Sequence, residues 1–367
     1  MRLQALFYST QAALVAIAVS PLLLLVKLSS PATPLAPLAL GAAALYVAAA
    51  LLACAPRARV AVPKAAAGAL GVVVTGCDSG LGASTAARLA AEGYSVCAAC
   101  LTDEGVRALS AVEGVTALRA DVTSAASVEA LRGAVEAWLS GGSRVLHALV
   151  NNAGVGASGP VDWTSMDTYR RTMDVNFFGH VAVTKALLPL LYARGVAARR
   201  AGSAPPRVVN ITSIAGVLAA PGLSAYCASK FALEAFSDAL RRESAPFGLR
   251  VAIIEPSFLR TPILLDIEGR ARAAFAALPA PTRARWGAAY AESAARHSAA
   301  IEAAAEPLAL GVDAIVAAVT HVVPRARYTA GTQGRFLLPF VAALPAWVAD
   351  PLLARAGGRA VPAGAEL

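Results

Sequence analysis

The chain has 367 residues, 57% of them hydrophobic and 15% charged, with a net charge of +9 from 32 basic and 23 acidic side chains. That length holds one large α/β domain with appendages, or at most two domains, and so apolar a composition points to contact with a bilayer or a partner surface. Nucleic acid is excluded as a partner by the distribution of charge: Arg2, Lys27, Arg57, Arg59 and Lys64 precede Cys77 in a stretch without one acidic residue, and no basic patch interleaved with aromatics comes after it.

Residues 5–26 and 35–55 are two charge-free runs. At about 1.5 Å per residue, each is long enough to cross a bilayer core of roughly 30 Å as a helix. A helical hairpin is expected. Pro21, Pro37 and the Ala-rich second run leave one span plus an interfacial segment as the alternative, and a cleaved signal or transit peptide as another. By the positive-inside rule, Arg57, Arg59 and Lys64 would hold the remainder of the chain on the cytoplasmic face. The cysteines Cys54, Cys77, Cys97, Cys100 and Cys227 have no paired metal spacing, and no metal is expected. Cys97 and Cys100 form a lone C-x-x-C inside an apolar strand and read as small buried hydrophobes in a reducing compartment.

Leu70–Thr75 is a β-branched run that ends in Gly76-Cys77-Asp78-Ser79-Gly80-Leu81-Gly82, after which Ala83–Ala91 has helix-forming composition. Strand, glycine turn and helix make a phosphate-binding unit, because glycines let the backbone approach a pyrophosphate that the free N–H groups of the helix start favour. Further strands are expected at Tyr94–Cys100, Thr116–Val122, Val145–Asn151 and Arg207–Ile211, with amphipathic stretches between them. The resulting fold class is α/β, a Rossmann-type doubly wound parallel sheet with helices on both faces. Asp121 and Val122 at the end of the third strand and Asn152-Ala153-Gly154 after the fourth lie where open parallel sheets bind ligands.

Ser213 comes just after the fifth strand, and Tyr226 and Lys230 share one face of the next helix. A phenol is a poor base at neutral pH, but an adjacent ammonium and the positive ring of an oxidised nicotinamide cofactor favour its anion. Tyr226 would then exchange a proton with a substrate hydroxyl, Ser213 would donate to the substrate oxygen, and Lys230 would serve the ribose hydroxyls.

The glycine turn, Asn152-Ala153-Gly154, Asn176, Ser213 and the Tyr226/Lys230 pair occur in order, and over roughly residues 68–335 this pattern resembles the short-chain dehydrogenase/reductase family. The stretches TGCDSGLG, DVNFFG (174–179), YCASKFALEAFSDALRRE (226–243) and IIEPSFLRT (253–261) look like its membrane-bound branch of retinol dehydrogenases, hydroxysteroid dehydrogenases and mitochondrial 3-hydroxybutyrate dehydrogenase. The resemblance implies a catalytic tetrad of Ser213, Tyr226, Lys230 and Asn176. It also implies a cofactor site at Gly76, Ser79, Gly80, Leu81, Gly82, Asp121, Val122, Asn152, Ala153, Gly154, Tyr226, Lys230, Pro256 and Thr261. Ser257 stands where the family has glycine, which puts the local turn in question. NAD is favoured over NADP, since Cys100 closes the second strand with neither an acidic nor a basic side chain, Asp103 lies slightly beyond, and the branch mostly uses NAD.

The chain divides into three segments: an N-terminal anchor and linker (1–66), a catalytic domain (67–335) whose substrate lid spans 261–308, and a C-terminal tail (336–367). Phe258, Ile263, Leu264, Leu265, Phe275, Trp286 and Tyr290 make the lid region apolar, which suits a retinoid or hydroxysteroid alcohol. Arg260 would suit the carboxylate of 3-hydroxybutyrate instead. A catalytically silent redox sensor is the reading of another class. Phe336–Leu353, interrupted by three prolines and Asp350, reads as an interfacial or oligomer-contact segment at a membrane. Gly195–Pro206 reads as a flexible basic loop. The resemblance further implies homodimers or homotetramers formed through the helices of Asn176 and Tyr226, on a membrane of the endoplasmic reticulum or, alternatively, the mitochondrion.

Overall fold

The computed structural model describes residue 61 and residues 67–332, 334, 338–356 and 360–365, so the two hydrophobic N-terminal runs lie outside the described residues. Seven parallel strands form one sheet: β1 (Leu70–Thr75), β2 (Ser95–Cys100), β3 (Val115–Arg119), β4 (Val145–Asn151), β5 (Arg207–Ile211), β6 (Arg250–Pro256) and β7 (Arg327–Ala330). Their order is β3-β2-β1-β4-β5-β6-β7. The order reverses between β1 and β4, and at that switch the loops leaving the strand ends diverge into a crevice.

Strand alternation builds the two faces. Val72, Val74, Val96, Ala98, Cys100, Ala148, Val150, Val209 and Ile211 point to one core, with Ala86 and Leu89 of α1 (Gly80–Ala91) and Val312, Ile315, Val316 and Val319 of the helix at Ala309–Thr320. Val73, Cys97, Ala99, Leu149, Val208 and Val251 point to the other, against α3 (Ala125–Gly141) and α5 (Gly179–Ala201). In the chain, α2 (Asp103–Ser110) precedes α3 and α4 (Met166–Met173) precedes α5. Cys97 and Cys100 fall on opposite faces, and burial pushes their thiols up to about 12 and about 11, as inert packing residues should be.

The helix after β4 is one continuous element through α4, a π turn at Asp174–Phe178 and α5. It is the one described helix long and apolar enough to cross a membrane, yet its Asn176, His180, Val183, Leu187 and Leu191 are buried in this domain. Gly195–Pro206 does not form the expected basic loop, because α5 runs to Ala201 and stops where Gly202 takes a left-handed conformation (φ 62°). Gly195 is a packing glycine within the helix: a Cβ there would lie 2.4 Å from the Phe247 carbonyl oxygen.

After β5 come α6 (Ser224–Ser244), α7 (Ile267–Ala276), α8 (Ala280–Ala303, broken at Gly287, φ 76°) and α9 (Ala309–Thr320). Fully buried Arg207, at the start of β5, donates to the carbonyls of Ala318 (3.4 Å), Val319 (2.8 Å) and His321 (2.6 Å) at the end of α9. Burial pulls its guanidinium down to about 10, so it remains a cation at neutral pH and meets the negative end of that helix. The apolar tail forms two short helices, α10 (Leu338–Ala342) and α11 (Ala346–Ala356), neither long enough for a span, with Phe340, Trp347 and Leu352 exposed.

Candidate active site

The floor of the crevice is the turn between β1 and α1. Gly76 (φ 67°) and Gly80 (φ 58°) take left-handed conformations, and a Cβ on Gly82 would lie 2.2 Å from the Gly76 oxygen. Only glycine fits these positions. Ser79 caps α1 without a side-chain hydrogen bond, and no acidic residue lies in the first turn. The helix start thus offers uncapped N–H groups and a free hydroxyl to a diphosphate, and the chain fits a dinucleotide.

Neighbouring strands hold this floor in place. Asn152 Nδ2 donates to the carbonyls of Thr75 (2.9 Å) and Gly76 (3.0 Å), while the Thr75 hydroxyl accepts from the N–H groups of Asn152 (3.0 Å) and Ala153 (3.2 Å). Thr75 was not among the expected site residues, although the glycine motif begins with it. His180 Nε2 lies 2.6 Å from the Ala153 oxygen, and burial keeps that imidazole uncharged, near about 3. Leu81 turns its side chain toward Gly311 of α9, so only its backbone faces the turn. β3 ends at Arg119, earlier than expected, which puts Asp121 and Val122 in the turn beyond it. There Asp121 accepts from Thr123 N (2.9 Å) and Oγ1 (2.7 Å), and Val122 packs under Gly179.

Asp78 is a candidate that strand-end reasoning missed. Its carboxylate reaches across to the end of β2, accepting from Leu101 N (2.8 Å), Thr102 N (2.8 Å) and Thr102 Oγ1 (2.7 Å). Partial burial works against its charge, but these hydrogen bonds outweigh it and hold the carboxyl below its usual range. The strand end that Cys100 closes without a charged side chain thus receives a carboxylate from the glycine turn.

Ser213, Tyr226, Lys230 and Asn176 come together past the ends of β4 and β5. The Ser213 hydroxyl favours the anion of the Tyr226 phenol, and the Lys230 ammonium lies 5.6 Å from the centre of the Tyr226 ring. Lys230 Nζ donates to the Ile211 carbonyl at 2.9 Å, which leaves further protons available. A Cβ on Gly154 would come within 3.4 Å of Asn176 Oδ1 and 3.9 Å of Lys230 Nζ, which fixes both beside the loop after β4. Burial pushes the Tyr226 phenol up to about 12, against the pull of the Ser213 hydroxyl, and pulls the Lys230 ammonium down to about 8. Without further positive charge, this phenol is no base.

The side chain of Asn176 is fully engaged: it accepts from Val155 N (2.8 Å) and donates to Val155 O (3.0 Å) and Ser229 Oγ (3.1 Å). It sits in the π turn, a helix irregularity that recurs at functional sites. Ser213 Oγ accepts from Ala215 N at 3.1 Å and makes only a long contact, 3.4 Å, with the Pro256 carbonyl, so its proton is free to turn toward a ligand.

The segment expected as a lid begins against the crevice loops, with Ile263 against Gly156 and Pro262 against Gly80. Thr261 Cβ is 4.0 Å from the Cβ position of Gly80. Further out, Trp163 packs at a tilt against Phe275 (5.3 Å between centroids) and edge to face with Trp286 (5.6 Å) and Tyr290 (5.8 Å), joining the β4 loop to α7 and α8. Arg260 is exposed and donates to the Ala305 carbonyl at 3.3 Å. The turn at Ser257 is well made despite the missing glycine: its N–H donates to Ala330 O (2.8 Å) and its hydroxyl to Glu306 Oε2 (3.0 Å).

Residues 71–270 match the model of the short chain dehydrogenase family. The chain is 40% identical over 290 residues to "Retinol dehydrogenase 5" of Mus musculus, covering 77% of this chain and 87% of that protein. To "D-beta-hydroxybutyrate dehydrogenase, mitochondrial" of Rattus norvegicus it is 36% identical over 268 residues, 70% of this chain and 75% of that one. Among solved structures, a short-chain dehydrogenase from Streptomyces avermitilis is similar with a TM-score of 0.58 and 26% identity, covering 79% of this chain and 95% of that one.

Proposed function

Because the chain belongs to the short-chain dehydrogenase/reductase family and is an oxidoreductase of alcohol groups, we propose that it interconverts a hydrophobic alcohol of retinoid or hydroxysteroid type and its carbonyl, with Tyr226 as the acid/base. The convergence of Ser213, Tyr226 and Lys230 beside a glycine turn with an uncapped helix start carries this reading.

Bound NAD supplies the hydride acceptor. In the oxidation direction Tyr226, as phenolate beside the Lys230 ammonium, takes the hydroxyl proton of the alcohol. Ser213, anchored by Ala215 N, donates to the same oxygen and holds it against Tyr226. Lys230 stays fixed by Ile211 O and keeps two protons for ribose hydroxyls. Asn176 acts through its hold on Val155 and Ser229, which sets the loop after β4 against α6.

For the substrate, the aromatic group of Trp163, Phe275, Trp286 and Tyr290 and the apolar Ile263 support a lipophilic alcohol. Arg260, bound to a backbone carbonyl, is not poised for a carboxylate. The similarity to a hydroxybutyrate dehydrogenase supports 3-hydroxybutyrate as the second reading. We expect the detergent-solubilised full chain to form NADH with all-trans-retinol or a hydroxysteroid. Activity on 3-hydroxybutyrate alone would overturn the lipophilic reading, and NAD binding without turnover on any of the three would favour a silent sensor.

Asp78 supports NAD over NADP. Its ionised carboxylate stands at the end of β2, where this fold receives the adenosine ribose, and would repel a 2′-phosphate. Asp78→Asn is expected to raise kcat/KM for NADP about tenfold, the effect of about one unit-charge contact in partly solvated surroundings, with a smaller change for NAD. An unchanged NAD-to-NADP ratio in steady-state kinetics would remove Asp78 from cofactor choice.

A further inference from the structure

Helix α6 carries a third polar residue on the face that holds Tyr226 and Lys230. Glu234 lies one turn beyond Lys230, so the three stand at i, i+4 and i+8 along one stripe. Its side chain is only 9% exposed, and a carboxylate so placed needs compensation. Part of that comes from Arg327 of β7, which donates to Glu234 Oε2 at 2.7 Å. The same guanidinium also serves Glu255 of β6 at 3.0 Å and Asp238 of α6 at 3.1 Å.

The charges around Arg327 do not balance by themselves. Asp238 is more exposed and has Arg241 (2.9 Å) and Arg242 (3.5 Å) as further partners. Glu234 and Glu255 are both buried, which pushes both carboxyls up, and they share one guanidinium, so with both ionised one negative charge is in excess. Lys230 is the mirror case: a buried ammonium that, among the described residues, forms no ion pair and rests on a backbone carbonyl. Glu234 Oε1 is buried outside hydrogen-bond geometry among the described residues, with the Thr212 hydroxyl favouring its anion. The turn after Ser213 lies directly on this stretch of helix, for a Cβ on Gly216 would come 2.9 Å from Lys230 O and 3.0 Å from Glu234 Cγ.

We propose that Glu234 is a positioning residue of the active site: held by Arg327, its buried carboxylate compensates the ammonium of Lys230 and keeps it charged beside Tyr226. The inference rests on the proposed roles of Tyr226 and Lys230 in proton transfer. The groups facing Lys230 are Tyr226 and Glu234 of α6 and His180 of α5, which burial keeps neutral; Glu255 and Arg327 lie behind Glu234. Burial pulls Lys230 down to about 8, and Glu234 opposes that pull. Removing the carboxylate lowers it further, so the cation is lost at lower pH.

The test is the pH profile of kcat/KM for alcohol oxidation by the full chain. In Glu234→Gln the alkaline limb is expected to move down by about one pH unit, a roughly tenfold loss of rate on that limb, with little change on the acid side. Asp238→Asn, which removes a carboxylate from the same guanidinium on its exposed side, is expected to leave the limb in place. An equal loss at every pH in Glu234→Gln would assign Glu234 to packing alone and overturn the proposal, as would an equal limb shift in Asp238→Asn. Should Glu234→Gln fail to fold, Glu234→Asp, with its charge withdrawn by one methylene, must shift the limb in the same direction. Tyr226→Phe separates the two ideas: if it retains turnover, the catalytic reading fails, whereas an inactive Tyr226→Phe with an unshifted Glu234→Gln sinks only the role of Glu234.

Discussion

Tyr226→Phe in the full chain is expected to lower kcat by about a thousandfold or more, within the range that a lost general acid/base produces, while NAD affinity stays within about threefold. The ring remains, with its packing and the ammonium of Lys230 near its face; only the hydroxyl and the influence of Ser213 on it are lost. The lesion falls on proton transfer, since Lys230 keeps its ammonium for the ribose and the glycine turn and Asn152-Ala153-Gly154, expected to hold the rest of the cofactor, lie at other strand ends. Measuring turnover beside a fluorescence titration with NAD separates the two effects. Turnover within tenfold of the parent chain would remove Tyr226 as the acid/base.

Gly82→Ala should act on the opposite half of the site. Its methyl group would meet the Gly76 oxygen at 2.2 Å and Asn152 Nδ2 at 2.5 Å, and neither can step aside. Gly76 is backbone in a left-handed turn, and Asn152 is tied to the carbonyls of both Thr75 and Gly76. The turn has to open, and NAD affinity should fall by about a hundredfold, close to 3 kcal/mol, with a lowered melting temperature. Gly133→Ala is the control, because nothing lies within 4 Å of its Cβ position on α3. It should bind NAD as the parent does and be neutral or slightly more stable. Parental NAD affinity in Gly82→Ala would mean that the phosphate-binding turn lies elsewhere.

Much of this arrangement is written locally. β1, β4 and β5 have the bounds expected from β-branched runs, since central strands buried on both faces read as continuous apolar segments. β7 went unread because Arg327-Tyr328-Thr329-Ala330 is short and half polar, and its place is set by pairing with β6. The helix through Gly195 was missed for a related reason: a glycine chosen for close approach to Phe247 looks, in sequence, like a breaker. Asp78 escaped because an acid was sought on the residues that close β2, while the carboxylate that reaches that strand end comes from 23 residues upstream. Ser213, Tyr226 and Lys230 are legible because their order and spacing already bring them to one strand end and one helix face. Glu234 and Arg327, 93 residues apart, share no such local signal.

The position of Arg327 late in the chain also bears on how this protein is made. Its carboxylate partners emerge from the ribosome 72 to 93 residues earlier, and Glu255 and Glu234 are destined for burial. Domains begin to fold from the N-terminus during synthesis, at about 5–20 residues per second. For several seconds the nascent sheet through β6 therefore has two interior acids without their guanidinium, and it closes around them only once β7 has been translated. A release or stall before residue 327 would leave a chain with all four members of the proposed catalytic set but without the cation that lets its interior close.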